Sequence, residues 1–578
     1  MATIIPTERP TDLATFTIKA DGKIVPKNVQ IISINVSNEI NRIPTLKLVV
    51  SDGDPASAKF EHSEGEFFRP GVKIEITAGY HSKEELIFKG MIISQKVKIR
   101  KTGSAFLVVK AKNAAFKMVS VPKYRLFKDM TDSDIVEEIL SEYGIKNDLG
   151  TSATTHEQMV QNNINDWDFI YSRLEYNGFL IAFDEDTLKT FKPSPSDKAV
   201  LTVAYGSTIL EADLELDSRV HTQNIIGRTW ESTKQNILES EKNYSDEPAC
   251  SDITIDHLNS LNDTTNFYLN SSGQTIDSEI LAWADALKMK QNFSKIRGSI
   301  TFQGFPIIKP GDLVHLQGFG SVFNGKAFIS GVHHEILEGN FVSTCQIGID
   351  PDFFLDKPMT KHNNRIVPEI NGLHCAKVLQ LEQDPNGENR MLVNIPMINP
   401  DGEGIWGRVC TLDAGKNRGS FFLPEINDEV IVGFLANDPR YPVVLGMVNS
   451  SSKPAPITAS DDNHEKGFVT RSKLKVLFND DTNTIEISTP KGNLFKLDEN
   501  KGTVIIEDEN SNVIKLDSKG ITINSCKDIN IKAKGNIKVK GINVKTAASA
   551  EFKAEGNAGA TLSTGTVCTL KGSIVKIN

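Results

Sequence analysis

The sequence predicts a mainly β chain: an α+β N-terminal part built on tandem β-barrels, a small separate barrel, and a repetitive C-terminal region. Three observations predict it. The first hundred or so residues alternate apolar and polar side chains in short runs broken by Asp-Gly turns. Helical periodicity enters only as insertions. Over the last hundred residues, apolar pairs flanking one polar residue recur at short steps.

In chain order, ATFTIKADGKIV, TLKLVVSDGD, VKIEITAGY, ELIFKGMIISQKVKI and AFLVVKAKNA read as closely spaced strands of a barrel or sandwich. TDSDIVEEILSEYG changes the period. Ile135, Val136, Ile139, Leu140 and Tyr143 recur at helical spacing, with Thr131 or Asp132 placed to cap and Gly144 to terminate. NDWDFIYSRLEYNG predicts a second helix, with Trp167, Ile170, Tyr171 and Leu174 on one face and Gly178 at its end. DSEILAWADALKMKQ predicts a third. Strands return with GSITFQG and GDLVHLQGFGSVFNGKAFISGVHHEI, so β structure dominates residues 1–360. A polar, proline-marked connector precedes a run of strands over 371–450, followed by a Ser/Pro/Asp-rich linker over 451–466.

Residues 467–578 carry the repeat: Ile485/Ile487, Phe495/Leu497, Val504/Ile506, Ile514/Leu516, Ile521/Ile523, Ile529/Ile531, Ile537/Val539 and Ile542/Val544. The step is eight residues between Ile521 and Val539 and nearer nine or ten upstream. One strand and one turn exhaust eight residues, so one chain cannot close a coil at each repeat. Its apolar face, left wet, forfeits roughly 1.5–3 kcal/mol per side chain. Three chains about a common axis, each forming one wall of a triangular prism, remove that loss. The repeat therefore predicts a homotrimer with Ile521, Ile523, Ile529, Ile531, Ile537 and Val539 in its core. Regular Gly, Asp and Lys disfavour a flat amyloid-like sheet.

A chain of 578 residues has room for roughly three to five domains. Its net charge of −10 argues against a chain-wide nucleic-acid surface. Six scattered cysteines without a C-x-x-C pair supply neither a zinc knuckle nor a dense disulfide framework. The N-terminus has no basic head with an apolar segment, and no run approaches the roughly 18–20 apolar residues that span a bilayer. The expectation is a protein made in the cytoplasm without a signal peptide.

Candidate chemistry is sparse. Asp428, Glu429 and the Asp438-Pro439-Arg440 turn are close enough to be read as a catalytic cluster or as corners of a barrel. Adjacent His333 and His334, with His315 upstream, point to opposite faces of a strand, as do His374 and Cys375. Asp166, Asp168 and Glu175 lie near an Arg, but the first two diverge on a helix. No nucleophile elbow or P-loop is present, and GFGSVFNG lies between strands. Catalytic residues, metal ligands and cofactors are all expected to be none.

QNNINDWDFIYSRLEYNGFLIAF, through Asp168, Phe169, Arg173, Leu174, Glu175 and Gly178, resembles a segment of VgrG-type spike proteins. KPGDLVHLQGFGSVFNGKAFISGVHHEI, through Pro310, Gly311, Asp312, Asn324, Gly325 and His334, resembles the end of that family's hub. GRVCTLDAGKNRGSFFLPEINDEVIVGFLANDPRYPVVLGMVNS resembles its oligonucleotide/oligosaccharide-binding (OB) barrel, through Pro424, Glu425, Asp428, Glu429, Gly433, Asp438, Pro439, Pro442 and Gly446. The resemblance covers hub, OB barrel and an intertwined trimeric β-helix spike, and makes the acidic residues barrel corners.

It also implies a function: a structural, non-enzymatic homotrimer linking an inner tube to a puncturing tip and driven through a target envelope when a sheath contracts. Implied partners are a hexameric inner-tube protein, baseplate and hub proteins, a PAAR-type tip protein meeting Ile574, Val575 and Ile577, possible effector cargo, and transiently the envelope; nucleic acid is not among them. The expected destination is a phage-tail-like particle, extracellular on firing or release. Phage tail, cell-anchored secretion system and released particle all remain open, as do a cell-wall-degrading tail protein and a trimeric adhesin fibre. Toward the end of the chain, from Cys526 to Asn578, nine Lys face three acidic residues, read as a solvated surface or a contact for an anionic partner.

Overall fold

The computed structural model describes residues 13–577 except 102, 220, 232–235, 242–249, 262–265, 272–275, 355–366, 397 and 399–401. The first twelve residues and most of the connector before residue 371 lie outside the described residues. The chain divides into two compact units, Met1–Asn449 and Ser450–Asn578.

The first unit is organised by one large sheet. Ten of its thirteen strands are β1 (Ala14–Ala20), β2 (Ile31–Glu39), β3 (Thr45–Ser51), β4 (Lys73–Tyr80), β5 (Lys83–Ile99), β6 (Ala105–Lys112), β7 (Ile209–Leu216), β8 (Ile296–Gln303), β9 (Gly325–Leu337) and β10 (Asn340–Ile347). They follow the order β7-β8-β10-β9-β2-β3-β6-β5-β4-β1. Period-two alternation decides which face is buried: β3 turns Leu46, Leu48 and Val50 inward and Thr45, Lys47 and Val49 outward. Two cores result. One gathers Ile34, Val36, Leu46, Leu48, Ile74, Ile76, Leu107 and Val109. The other gathers Leu201, Val203, Ile300, Phe302, Val314, Cys345 and Ile347. The β2–β9 pairing, with Ile34 opposite Ile336, joins them into one sheet.

Helix α1 (Asp132–Glu142) starts at Thr131, whose side chain accepts from the Asp134 N–H while the Asp134 carboxylate accepts from the Thr131 N–H. Thr131 is thus the cap, and Asp132 turns inward. Helix α2 (Asp166–Tyr176) is capped by Asn165 and ends before Gly178, whose φ of +74° suits glycine. Helix α3 (Asp277–Phe293) packs against the strand Asn224–Glu231.

A five-stranded barrel closes the first unit: β11 (His374–Gln380), β12 (Met391–Asn394), β13 (Ile405–Val409), β14 (Glu429–Phe434) and β15 (Pro442–Met447), in the order β11-β12-β13-β15-β14. Ala376, Val378, Met391, Val393, Ile405, Val430, Val432 and Val444 fill it. All six cysteines are free thiols.

In the second unit, seven strands form an antiparallel meander: β16 (Glu465–Val469), β17 (Lys475–Asn479), β18 (Thr484–Ser488), β19 (Leu494–Asp498), β20 (Thr503–Glu507), β21 (Val513–Asp517) and β22 (Gly520–Asn524). Strand β16 begins at Glu465, two residues inside the linker expected over 451–466, and the meander occupies the first part of the stretch expected as the trimeric β-helix spike over 467–578. Steps of nine or ten residues, and of seven between β21 and β22, each hold a five-residue strand and a reversing turn, so each strand finds its neighbour on its own chain. Beyond Asn524 no strand is formed among the described residues. The chain runs on as exposed segments with bends at 526–527, 534–535, 542, 549–550, 557–558, 565–566 and 573–574. The eight-residue rhythm read from Ile521 to Val539 thus persists almost to the last described residue.

Candidate functional site

In the small barrel, the Glu425 N–H donates to Asp428 Oδ2 at 2.9 Å, and the Asp428 N–H donates back to the Glu425 carbonyl at 3.0 Å. Asp428 is therefore committed to its turn, next to Pro424. Glu429 opens β14 opposite Lys377, Gly433 lies within β14, and Gly446 pairs with Ile431. Asp438 and Pro439 form the following turn, where Asp438 accepts from Arg440 Nη2 at 2.9 Å. These residues do not converge on a cleft.

Arg440 instead leaves the barrel and enters a buried ionic cluster built mainly by the helices. Its Nη1 lies 2.7 Å from Glu279 Oε1 on α3. Glu279 Oε1 also accepts from Arg173 Nη2 of α2 at 3.0 Å, and Arg173 Nε donates to Asp132 Oδ1 of α1 at 2.7 Å. His156 Nε2 and Asn177 Nδ2 lie 3.1 and 2.8 Å from Asp132 Oδ2. Burial pushes the Asp132 and Glu279 carboxyls up, but the neighbouring guanidiniums outweigh it and hold both below the usual carboxylate range. Every acid here is buried and paired with a guanidinium, so the cluster suits clamping helices to barrel rather than general acid catalysis.

The remaining sequence candidates are also occupied. Asp166 bonds Tyr143 Oη at 2.6 Å, Lys123 Nζ at 2.7 Å and Gln161 Nε2 at 2.7 Å, whereas Asp168 bonds its cap residue Asn165. Glu175 pairs with Lys290 in the interior. His333 and His334 occupy successive positions of β9. The buried His334 lies 2.9 Å from Ser343 Oγ, and burial depresses its pKa to about 3. Among the described residues no cluster of three or more His, Cys, Asp or Glu is arranged to hold a metal.

The meander presents a different kind of site. Its register sets Phe468, Val476, Ile487, Phe495, Ile506, Ile514 and Ile523 in one cross-strand row, and Phe478, Ile485, Leu497, Val504, Leu516 and Ile521 in the next. Paired residues share a face, so both rows make one apolar surface, while Glu486, Lys496, Lys515 and Thr522 take the other. Ile521 and Ile523 are 71% and 57% exposed in the single chain. Ile529, Ile531, Ile537 and Val539 follow on the bent, strandless segment, all exposed, as are Ile574, Val575 and Ile577.

Sequence reasoning identified this apolar pattern but missed the ionic cluster. Asp132 had been read only as a possible cap, and nothing local ties Glu279 to Arg440.

In the small barrel, residues 375–448 match the Type VI secretion system/phage-baseplate injector OB domain. Residues 10–338, more than half of the chain, match the Alg8 N-terminal domain, and the chain belongs to that family. The family description names a domain and no reaction.

The chain is 36% identical over 72 residues to the Type VI secretion system spike protein VgrG1a of Pseudomonas aeruginosa, which is 12% of this chain and 11% of that one. VgrG1b of the same organism matches equally over 10% of its length. The chain thus spans about a tenth of the relatives it matches. In fold it is similar to a chain of the Francisella PdpA-VgrG complex, with a TM-score of 0.50 and 11% identity over 89% of this chain and 88% of that one. The resemblance to VgrG-type spike proteins, read first from the motifs, is borne out, as is a mostly β fold with a closed barrel.

Proposed function

We propose that the protein is the structural spike of a contractile injection machine, a homotrimer that joins an inner tube to a puncturing tip. One observation carries the reading: the chain ends in an apolar meander face and an evenly bent, strandless segment, neither of which has a covering layer among the described residues. Three copies cover both, each supplying one wall of a prism. The spike proteins among the relatives and the injector OB domain support the same reading.

On this reading, residues 1–360 form the hub that meets a hexameric tube protein and the baseplate. The barrel over 371–450 is a collar. Ile574, Val575 and Ile577 meet a PAAR-type tip, and effector cargo travels with the assembly. The particle reaches a target envelope without catalysis of its own. Among the described residues no helix is long and apolar enough to cross a membrane.

The absolute mass of the full-length protein by light scattering tests the proposal. A trimer supports it; a folded monomer overturns it. A zymogram on cell-wall substrate separates it from a lytic tail protein, since a passive spike clears nothing. Co-purification with a hexameric tube protein separates it from an adhesin fibre.

A further inference from the structure

We infer that strand β7 of one copy pairs with the outer half of β5 in the next copy, an acidic edge against a basic one, so that the hub sheet continues from chain to chain. The inference rests on the homotrimer reading above and adds which surfaces meet.

Two long stretches of strand edge are both unpaired and strongly charged: β7, at one end of the sheet, and the outer half of β5, beyond its pairing with β4. From β7 to β5 the sheet runs through eight strands, β7-β8-β10-β9-β2-β3-β6-β5, and every neighbouring pair is antiparallel. Strands one and eight of such a run point in opposite directions. Setting β7 of one copy beside β5 of another therefore continues the alternation without a parallel joint. Among the described residues, β7 pairs only with β8. Strand β5 pairs with β4 from Lys83 to Met91, and its last backbone contacts on that side join the Ile92 N–H to the Val72 carbonyl and the Gly71 N–H to the Ile92 carbonyl. From residue 93 to 99 it pairs with β6 alone, leaving an edge of seven residues to match the eight of β7. Unpaired edges of this length are templates for another strand.

Charge says which strand. The β7 edge exposes Glu211, Asp213 and Glu215 beside Leu210 and Ala212. The β5 edge exposes Lys96 and Lys98 beside Val97 and Ile99, and the turn adds Arg100 and Lys101. None of Lys96, Lys98, Arg100, Lys101, Glu211 or Asp213 has an ion-pair partner among the described residues. Two β7 edges repel each other, as do two β5 edges, because like charges then stand opposite across the ladder. Only the head-to-tail pairing brings opposite charges together, and with a threefold rotation between copies, as the trimer reading requires, such a contact closes a ring. The exposed Leu210, Val97 and Ile99 would lose water in the same contact.

The test is amide hydrogen exchange on the full-length protein, read beside its mass. In the trimer, peptides covering 209–216 and 93–99 should both exchange at least about tenfold more slowly than in Lys96→Glu/Lys98→Glu. Adding Glu211→Lys/Asp213→Lys to that variant should restore the protection, since the charges are then exchanged rather than lost. A trimer in which both segments exchange rapidly overturns the edge pairing and leaves the spike reading standing. So does a trimer in which the basic-edge variant loosens only 93–99 and the fourfold variant fails to restore it; the β5 edge then serves a different partner. A folded monomer overturns both readings.

Discussion

Arg440 in the small barrel holds both carboxylate oxygens of Glu279 on helix α3, at 2.7 and 2.8 Å, and each side chain is only 5% exposed. The pair spans 161 residues of sequence and ties the barrel to the helical layer of the hub. Removing one partner strands the other charge away from water, which costs far more than a surface ion pair returns. Arg440→Met should destabilise the first unit by about 3–5 kcal/mol, read from a denaturant midpoint. Adding Glu279→Gln should recover part of that loss. A change as small as that of an exposed pair would mean that the cluster carries no load.

Acid should unfold the hub in two stages. Burial holds His334 at about 3 and His221 at about 4, against an ordinary value of 6.5. The unfolded chain therefore binds more protons than the folded one, and stability falls as the pH drops below 6.5, by about 1.4 kcal/mol per pH unit for each histidine. Asp132 and Glu279, held low in the fold, contribute stability above their unfolded values. That contribution begins to fall once the pH drops below their unfolded values, about 3.9 and 4.3, and is gone below the depressed folded ones. Thermal melts between pH 7 and 3 should show the first stage flattened in His334→Asn and the second unchanged.

The meander face predicts an oligomer phenotype. Ile506 and Ile514 stand opposite each other in the exposed apolar row. Ile506→Lys/Ile514→Lys should convert trimer to monomer on a light-scattering column. Thr522→Lys, on the other face, should leave the mass unchanged.

At the end of the described chain, Ile574→Ser/Val575→Ser/Ile577→Ser should abolish co-purification of a PAAR-type tip protein while preserving the trimer. Retained binding would move the tip contact away from these residues.

What could be read from the chain follows from the range of each interaction. The helices around Ile135 and Trp167 and the strands from Ala14 to Lys112 show themselves in local period, because each is stabilised by burying one of its own faces. The Asp132–Arg173–Glu279–Arg440 cluster was not readable, because no local pattern marks partners that lie 41 to 161 residues apart. Thr131 and Asp132 were equivalent as caps until Asp134 completed the box with Thr131. The apolar pairs beyond Ile485 were evident, yet pairing alone does not distinguish a reversing meander from a wound prism. Step length alone does not either: β21 and β22 fold back on a step of seven residues, shorter than the eight-residue step of the strandless segment.

The strandless segment from Ser525 to Ile577 has a consequence for how the protein is made. The first unit can complete its cores as soon as its own residues have left the ribosome. On the spike reading, the last fifty or so must wait for other molecules, so their ordering depends on encounter and slows as copies become scarce. During that interval the segment is open to proteases, and the apolar meander is open to unrelated sheet edges. Several ribosomes working on one messenger would supply neighbours where they are needed. Yield should then follow local synthesis rate more closely than the total amount of protein made.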